Sequence, residues 1–152
     1  MLKLIYKMTE LDEEQLLRVY AEHHWDEQDF LSYLRFDFFQ QPNALYAVWV
    51  EDSSYKSAVR VERCRDGLLL HSLETVPDAR RKGYAYLLLS NFLDYLRTTN
   101  CEAIYSHIEK RNKASFSLHK KCGFEIIADC ATYLDGTVTQ YSYTMCYRMQ
   151  SE

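Results

Sequence analysis

The sequence predicts a mixed α/β fold in one domain spanning residues 1–152, and three observations carry that expectation. Short strand-like runs recur, separated by turn signals at Asp52-Ser53-Ser54, Asp66-Gly67 and Asp135-Gly136. Segments with helical spacing alternate with those runs rather than following them as a block. Only four glycines and two prolines interrupt the chain, which leaves little room for long irregular loops.

The elements follow in order. Leu2 to Met8 alternates and reads as a strand. After Thr9, the set Leu11, Leu16, Leu17, Val19 and Tyr20 repeats at helical spacing and predicts a first helix. Residues 21–41 are dense in aromatics and acids and predict a second short helix that stops before Pro42. Ala44–Val50 and Ser57–Cys64 read as strands, and Asp66-Gly67 turns the chain into a third strand of the meander, Leu68 to Val76. Beyond Gly83, residues Ala85, Leu88, Leu89, Phe92 and Leu96 mark one helical face, closed near Asn100. Glu102–Ile108 is strand-like, and a helix opened by Asn112 follows. Phe124–Ala131 and Val138–Arg148 read as strands around Asp135-Gly136. The order is β-α-α-β-β-β-α-β-α-β-β.

A chain of 152 residues can bury most of its apolar surface without outside help. No run approaches the roughly 18 apolar residues of a membrane span. Met1–Met8 has too short an apolar core for a signal peptide, so a soluble cytoplasmic protein without a membrane partner is expected. Cys64, Cys101, Cys122, Cys130 and Cys146 are scattered, with no Cys-x-x-Cys pair, and are expected as reduced thiols holding no metal. The net charge of −4 argues against a nucleic-acid partner.

The segment Thr75-Val76-Pro77-Asp78-Ala79-Arg80-Arg81-Lys82-Gly83-Tyr84-Ala85 joins an apolar strand to an amphipathic helix through a basic turn. Loop amides converging on one point, together with the partial positive charge of a helix start, make a nest for a pyrophosphate. Arg80, Arg81 and Lys82 add formal charge, and Gly83 allows close approach of the backbone. The segment is neither a P-loop nor a dinucleotide fingerprint. A solvated turn opening an ordinary helix is the alternative. A second block, Asn112-Lys113-Ala114-Ser115-Phe116-Ser117-Leu118-His119-Lys120-Lys121-Cys122-Gly123-Phe124, has an N-cap asparagine and a C′ glycine before the next strand.

Together the two blocks resemble the GCN5-related N-acetyltransferases, specifically over about residues 68–124. Arg80, Gly83 and Ala85 stand at the Arg/Gln-x-x-Gly-x-Gly/Ala positions, and Leu118-His119 with Gly123-Phe124 matches the second family block. The resemblance implies a mostly antiparallel sheet with a central, splayed parallel pair, the strands ending near Thr75 and beginning near Ile104. It implies acetyl-CoA as co-substrate, with its pyrophosphate on the Arg80–Ala85 loop, Tyr84 included, and its pantetheine against the main chain of Leu73, Glu74 and Thr75. Asn112 and Ser115 carry over as hydrogen-bonding groups, with plain capping as the equal alternative. The acceptor it implies is a primary amine, on a small molecule or a peptide, and family members often form homodimers.

Acyl transfer to an amine needs an unprotonated nucleophile, an oxyanion donor and a proton for the leaving thiolate. His119 stands where relatives place a tyrosine or histidine near the CoA sulfur, and is expected to assist departure of the thiolate; a surface histidine is the alternative. For the base, the matching positions offer His107 and His71, with satisfied strand histidines as the alternative for each, and Glu74 is a third candidate whose opposite facing counts against it. Strand parity places Leu69, His71, Leu73 and Thr75 on one face and Glu74 on the other. Tyr20, Trp25, Asp26 and Tyr33 lie where that fold places its substrate-facing region. Cys122 at a helix end is a poor nucleophile. A non-catalytic acyl-CoA-binding or sensing module is the second reading of the whole chain.

Overall fold

The computed structural model describes residues 1–149. Its elements are β1 (Leu2–Ile5), α1 (Glu13–Val19), α2 (Glu27–Phe36), β2 (Leu45–Glu51), β3 (Ser54–Cys64), β4 (Gly67–Thr75), α3 (Tyr84–Leu96), β5 (Ala103–Glu109), α4 (Lys113–Lys121), β6 (Glu125–Ala128), β7 (Ala131–Thr132), β8 (Val138–Thr139) and β9 (Ser142–Arg148). Seven strands form one sheet in the order β1-β2-β3-β4-β5-β9-β6, while β7 and β8 form a separate two-stranded ribbon. Every neighbouring pair is antiparallel except β4–β5. Among the described residues, no helix is long and apolar enough to cross a membrane.

Helices cover both faces of the sheet, with the periodic apolar sets of α1 and α3 buried as the sequence marked them. On one face, Leu88, Leu89, Phe92, Leu93 and Leu96 of α3 are buried against Ala47, Val59, Val61, Leu70 and Ile104. On the other, Leu16, Val19, Tyr20, Phe30 and Leu34 from α1 and α2 and their ends close over Ile5, Tyr46, Val48 and Ala58. Asp12 and Asp26 start these two helices by accepting from the backbone N–H of Gln15 and Asp29.

The parallel pair is short. β4 and β5 match only at Leu68–Ile104, Leu69–Tyr105 and Leu70–Ser106, although β4 runs on to Thr75 and β5 to Glu109. Beyond Leu70 the two strands therefore diverge, as the expected splay requires. A βαβ crossover through α3 joins them.

Two expectations are corrected. β4 is not evenly pleated: Arg60 pairs with His71 but Ala58 with Glu74, so two steps on β3 face three on β4. This is a β-bulge, and Ser72 holds its left-handed backbone at φ 54°. The extra residue reverses strand parity, so Glu74 shares a face with His71 and Leu69 instead of opposing them. The second correction concerns the C-terminal hairpin. The expected long strands are each broken, and Asp135-Gly136 turns only the β7–β8 ribbon. The β6–β9 ladder slips between Ile126 and Ala128, which turns the chain off the sheet. Thr144 Oγ1 then donates to the Cys130 carbonyl at 2.7 Å, and the Lys110 N–H to that of Tyr141 at 2.8 Å, holding the ribbon apart from the main ladder.

Candidate functional site

After β4, a 3-10 turn (Pro77–Ala79) delivers the chain to Arg80-Arg81-Lys82-Gly83 and α3. Arg81 (φ 64°) and Gly83 (φ 84°) both adopt left-handed backbone, which turns successive amides toward one side. Gly83 is the N-cap of α3 and has no side chain to satisfy the first-turn N–H groups, so these face outward unpaired. A Cβ built at Gly83 would meet no atom within 4 Å, and Gly83 borders the open space in front of the loop.

That space is a cavity of about 610 Å³ lined by Leu73, Glu74, Thr75, Arg80, Arg81, Gly83, Tyr84 and Ala85 on one side and by Asn112, Ala114, Ser115 and Leu118 on the other. Lys82 is exposed beside the loop and does not line the cavity. Arg80 is already paired, with Nη1 2.6 Å from Glu22 Oε2 and Nη2 3.6 Å from Glu74 Oε2. Glu74 also lies 3.4 Å from His23 Nε2.

Backbone direction on β4 sorts the three residues expected to line the splay. The Glu74 carbonyl accepts from Ser57 Oγ at 2.7 Å and the Val76 N–H donates to the Lys56 carbonyl at 2.9 Å, both toward β3. By alternation, Leu73 and Thr75 turn their main-chain groups toward the gap with β5. Glu74 does not.

The gap itself is a second cavity, about 260 Å³, whose walls include His71, Ser72, Ser106, His107, His119 and Tyr133. It shares Leu73, Glu74, Asn112 and Ser115 with the first cavity, so the two spaces meet at those residues. The three histidines singled out from the sequence are thus brought to one place from β4, β5 and α4.

Their chemical states differ. His119 is only 1% exposed, its ring edge against Phe124 at 5.0 Å. Its Nδ1 lies 2.7 Å from the Ser115 carbonyl, which can only accept, so Nδ1 carries the proton. Nε2 is then a bare lone pair, buried and without a partner among the described residues. Burial lowers the pKa of His119 below its ordinary 6.5, against the Ser115 hydrogen bond. The neutral ring therefore presents an acceptor at Nε2. Its burial removes the surface alternative. His107 is lowered too, by burial first and then by the nearby His71, and its ring stands edge-on to Tyr133 at 5.5 Å.

His71 has its Nε2 3.5 Å from Glu62 Oε2. Glu62 was not singled out from the sequence. It sits on β3, 7% exposed, with Tyr33 Oη donating to its Oε1 at 3.2 Å and Arg60 Nε 3.7 Å away. The His71 ring, then Arg60 and Tyr33, hold its carboxyl below the usual range despite burial. The available signal was Arg60-Val61-Glu62, two opposite charges on one face of an otherwise apolar strand.

Other expected residues take structural places. Asn112 Oδ1 accepts the Ser115 N–H at 3.0 Å, which is capping, although both residues also line the cavities. Asp26 caps α2, Tyr20 is buried and donates to the Ser72 carbonyl at 2.6 Å, and Trp25 stacks on His23 at 4.2 Å. Cys122 is the C-cap of α4, its thiol pushed up to about 11 by burial. Gly123 (φ 102°) then closes the helix, with N–H groups of Gly123 and Phe124 on the Lys120 and His119 carbonyls, a Schellman motif.

Residues 5–124 match the family model of the acetyltransferase (GNAT) family. No curated protein matches the chain. Solved structures do. The ribosomal-protein-S18-alanine N-acetyltransferase from Escherichia coli superposes with a TM-score of 0.71 at 19% identity, covering 100% of this chain and 97% of its own. The PaiA N-acetyltransferase from Thermoplasma acidophilum, solved with coenzyme A, gives 0.68 at 14%, covering 98% and 99%. YncA from Salmonella typhimurium, solved with its cofactor acetyl-CoA, gives 0.70 at 17%, covering 99% and 95%. At these identities the likeness is one of fold.

Proposed function

The chain belongs to the GNAT acetyltransferase family, and from that premise we propose that it moves acetyl from acetyl-CoA to a primary amine by direct attack in a ternary complex. One observation carries the reading: an anion-binding loop cavity runs into a cavity lined by three histidines, the two meeting at Leu73, Glu74, Asn112 and Ser115. The residues fit acetyl-CoA chemically. Unpaired amides at the start of α3 suit the pyrophosphate, and the free main-chain edge at Leu73 and Thr75 suits the pantetheine amides as an added strand. The acetyl end then lies among the histidines.

An alkylamine with a pKa near 10.4 is competent in about one molecule in a thousand at neutral pH, so removing its proton is the protein's first task. His71 and His107 line the cavity and are the groups to take it. Burial disfavours the charged form of His107, and His119 presents an unprotonated Nε2, so both offer a lone pair to the site. His119 Nε2 accepts the S–H of the thiol once it has formed.

A thiol-release assay with acetyl-CoA against amines of differing size and charge tests the reading. Release above hydrolysis is expected with at least one amine class, and Gly83→Val abolishes it together with CoA binding. Tight CoA binding with no transfer to any amine would leave the non-catalytic sensing module instead.

A further inference from the structure

Glu62 is a carboxylate with no evident place in the core. It stands near the C-terminal end of β3 with its side chain 8% exposed, and a buried charge is retained at a cost unless it is paired and used. Its neighbours form a graded set. Tyr33 from α2 donates to Oε1, Arg60 flanks the same oxygen, and the guanidinium of Arg60 lies over the Tyr33 and Phe38 rings at 5.2 and 5.7 Å. The second oxygen, Oε2, is turned to His71 Nε2 at 3.5 Å.

The His71 ring is correspondingly two-sided. Nε2 is shut off from solvent and has no other polar partner among the described residues, yet the side chain as a whole is 25% exposed. The exposure therefore belongs to the rest of the ring, which lines the cavity in the splay. A separation of 3.5 Å is long for a hydrogen bond, but such contacts are often loose before substrate is bound.

We propose that Glu62 is a positioning residue for acetyl transfer, holding the Nε2–H of His71 so that Nδ1 is the lone pair that deprotonates the acceptor ammonium. The proposal rests on the reading of His71 as the base. The ammonium gives one proton to Nδ1, and the freed amine forms the C–N bond at the thioester carbonyl. Collapse breaks the C–S bond, its electron pair leaves on sulfur, and the second nitrogen proton passes to that sulfur. The imidazolium returns its proton to solvent. Glu62 stays ionised throughout and faces the imidazolium while it exists. The charged and titratable groups that line the cavity with the ring are Glu74 on β4, His107 and Glu109 on β5, His119 on α4 and Tyr133 after β7, while Arg60 on β3 and Tyr33 on α2 flank Glu62 and Tyr20 at the end of α1 reaches the Ser72 carbonyl. Arg60 opposes a second positive charge on His71, which makes the carboxylate of Glu62 the compensating element.

The test is the pH dependence of kcat/KM in wild type, Glu62→Gln, His71→Gln and the double variant, with Glu62→Asp as rescue. Glu62→Gln is expected to lower kcat/KM by about ten- to a hundredfold, part of the usual range for base catalysis. KM for acetyl-CoA should stay within about twofold, and the acidic limb of the profile should move to lower pH. Glu62→Asp restores most of the rate, and Glu62→Gln adds nothing once His71 is Gln. An unmoved limb, or additive losses in the double variant, would overturn the role of Glu62 alone. A limb that survives His71→Gln would instead overturn His71 as the base. A readout independent of turnover and of variant folding is the nitrogen NMR of histidine-labelled wild type with CoA bound. It should show His71 protonated on Nε2 when neutral, and a ring protonated on Nδ1 sinks the proposal.

Discussion

Burial disfavours the charged forms of two imidazoles, those of His107 and His119, relative to the unfolded chain, and this gives the fold a pH dependence of its own. Both are lowered from 6.5 by burial. Between the folded and unfolded values the unfolded chain binds more protons, so stability rises with pH there. Their contribution is fully present above about pH 6.5 and is lost as the pH falls below it. His119→Asn keeps an N–H donor for the Ser115 carbonyl but removes the titration. Urea denaturation at a series of pH values should therefore show a shallower fall in stability between about pH 6.5 and 5 than in wild type. An unchanged slope would mean that this ring titrates alike in both states.

The bulge in β4 is the element that decides which residues meet. Ser72 at φ 54° carries a Cβ in a region that costs most residues roughly 1–2 kcal/mol. Ser72→Gly should leave the melting temperature within about 2 °C. Ser72→Val puts a β-branched side chain at positive φ and should lower it by about 2–8 °C, at the 2–4 °C per kcal/mol usual for a chain this long. Thermal unfolding by circular dichroism checks both, and a Val variant as stable as wild type would mean the bulge can relocate. The bulge was invisible in the sequence for a physical reason: parity arguments assume an even pleat, and a serine does not announce left-handed backbone. The conformation is accompanied by the Tyr20 hydroxyl on the Ser72 carbonyl, a contact made across 52 residues. Features with local causes were readable, such as the Leu88–Phe92 stripe, the Asn112 cap and the Gly123 closure. The Glu62–His71 contact and the Arg80–Glu22 pair depend on strand register and on long-range docking, which no local pattern encodes.

At the scale of the whole molecule, net charge and ligand affinity point in opposite directions. The chain carries −4, yet the loop in front of α3 must hold an anion, so attraction has to be local. Arg80 is already matched to Glu22 and Glu74, while Arg81 stands exposed on the cavity wall with no ion-pair partner among the described residues. Arg81 is then the side chain whose contribution salt should screen, and the amides around Gly83 supply the part that salt leaves. A ligand that binds only the folded chain stabilises it by about 2.7 kcal/mol at a hundredfold excess over Kd. For a chain of this length that raises the melting temperature by roughly 5–11 °C. CoA should produce a shift of this size at about 0.1 M salt and a smaller one at about 1 M, where the Debye length falls from about 10 to 3 Å. Arg81→Ala should begin with the smaller shift and lose little more on adding salt, whereas Gly83→Val should show none at either concentration. A shift in wild type that ignores salt would place the anion away from Arg81, and a Gly83→Val protein still stabilised by CoA would remove the loop amides from the site.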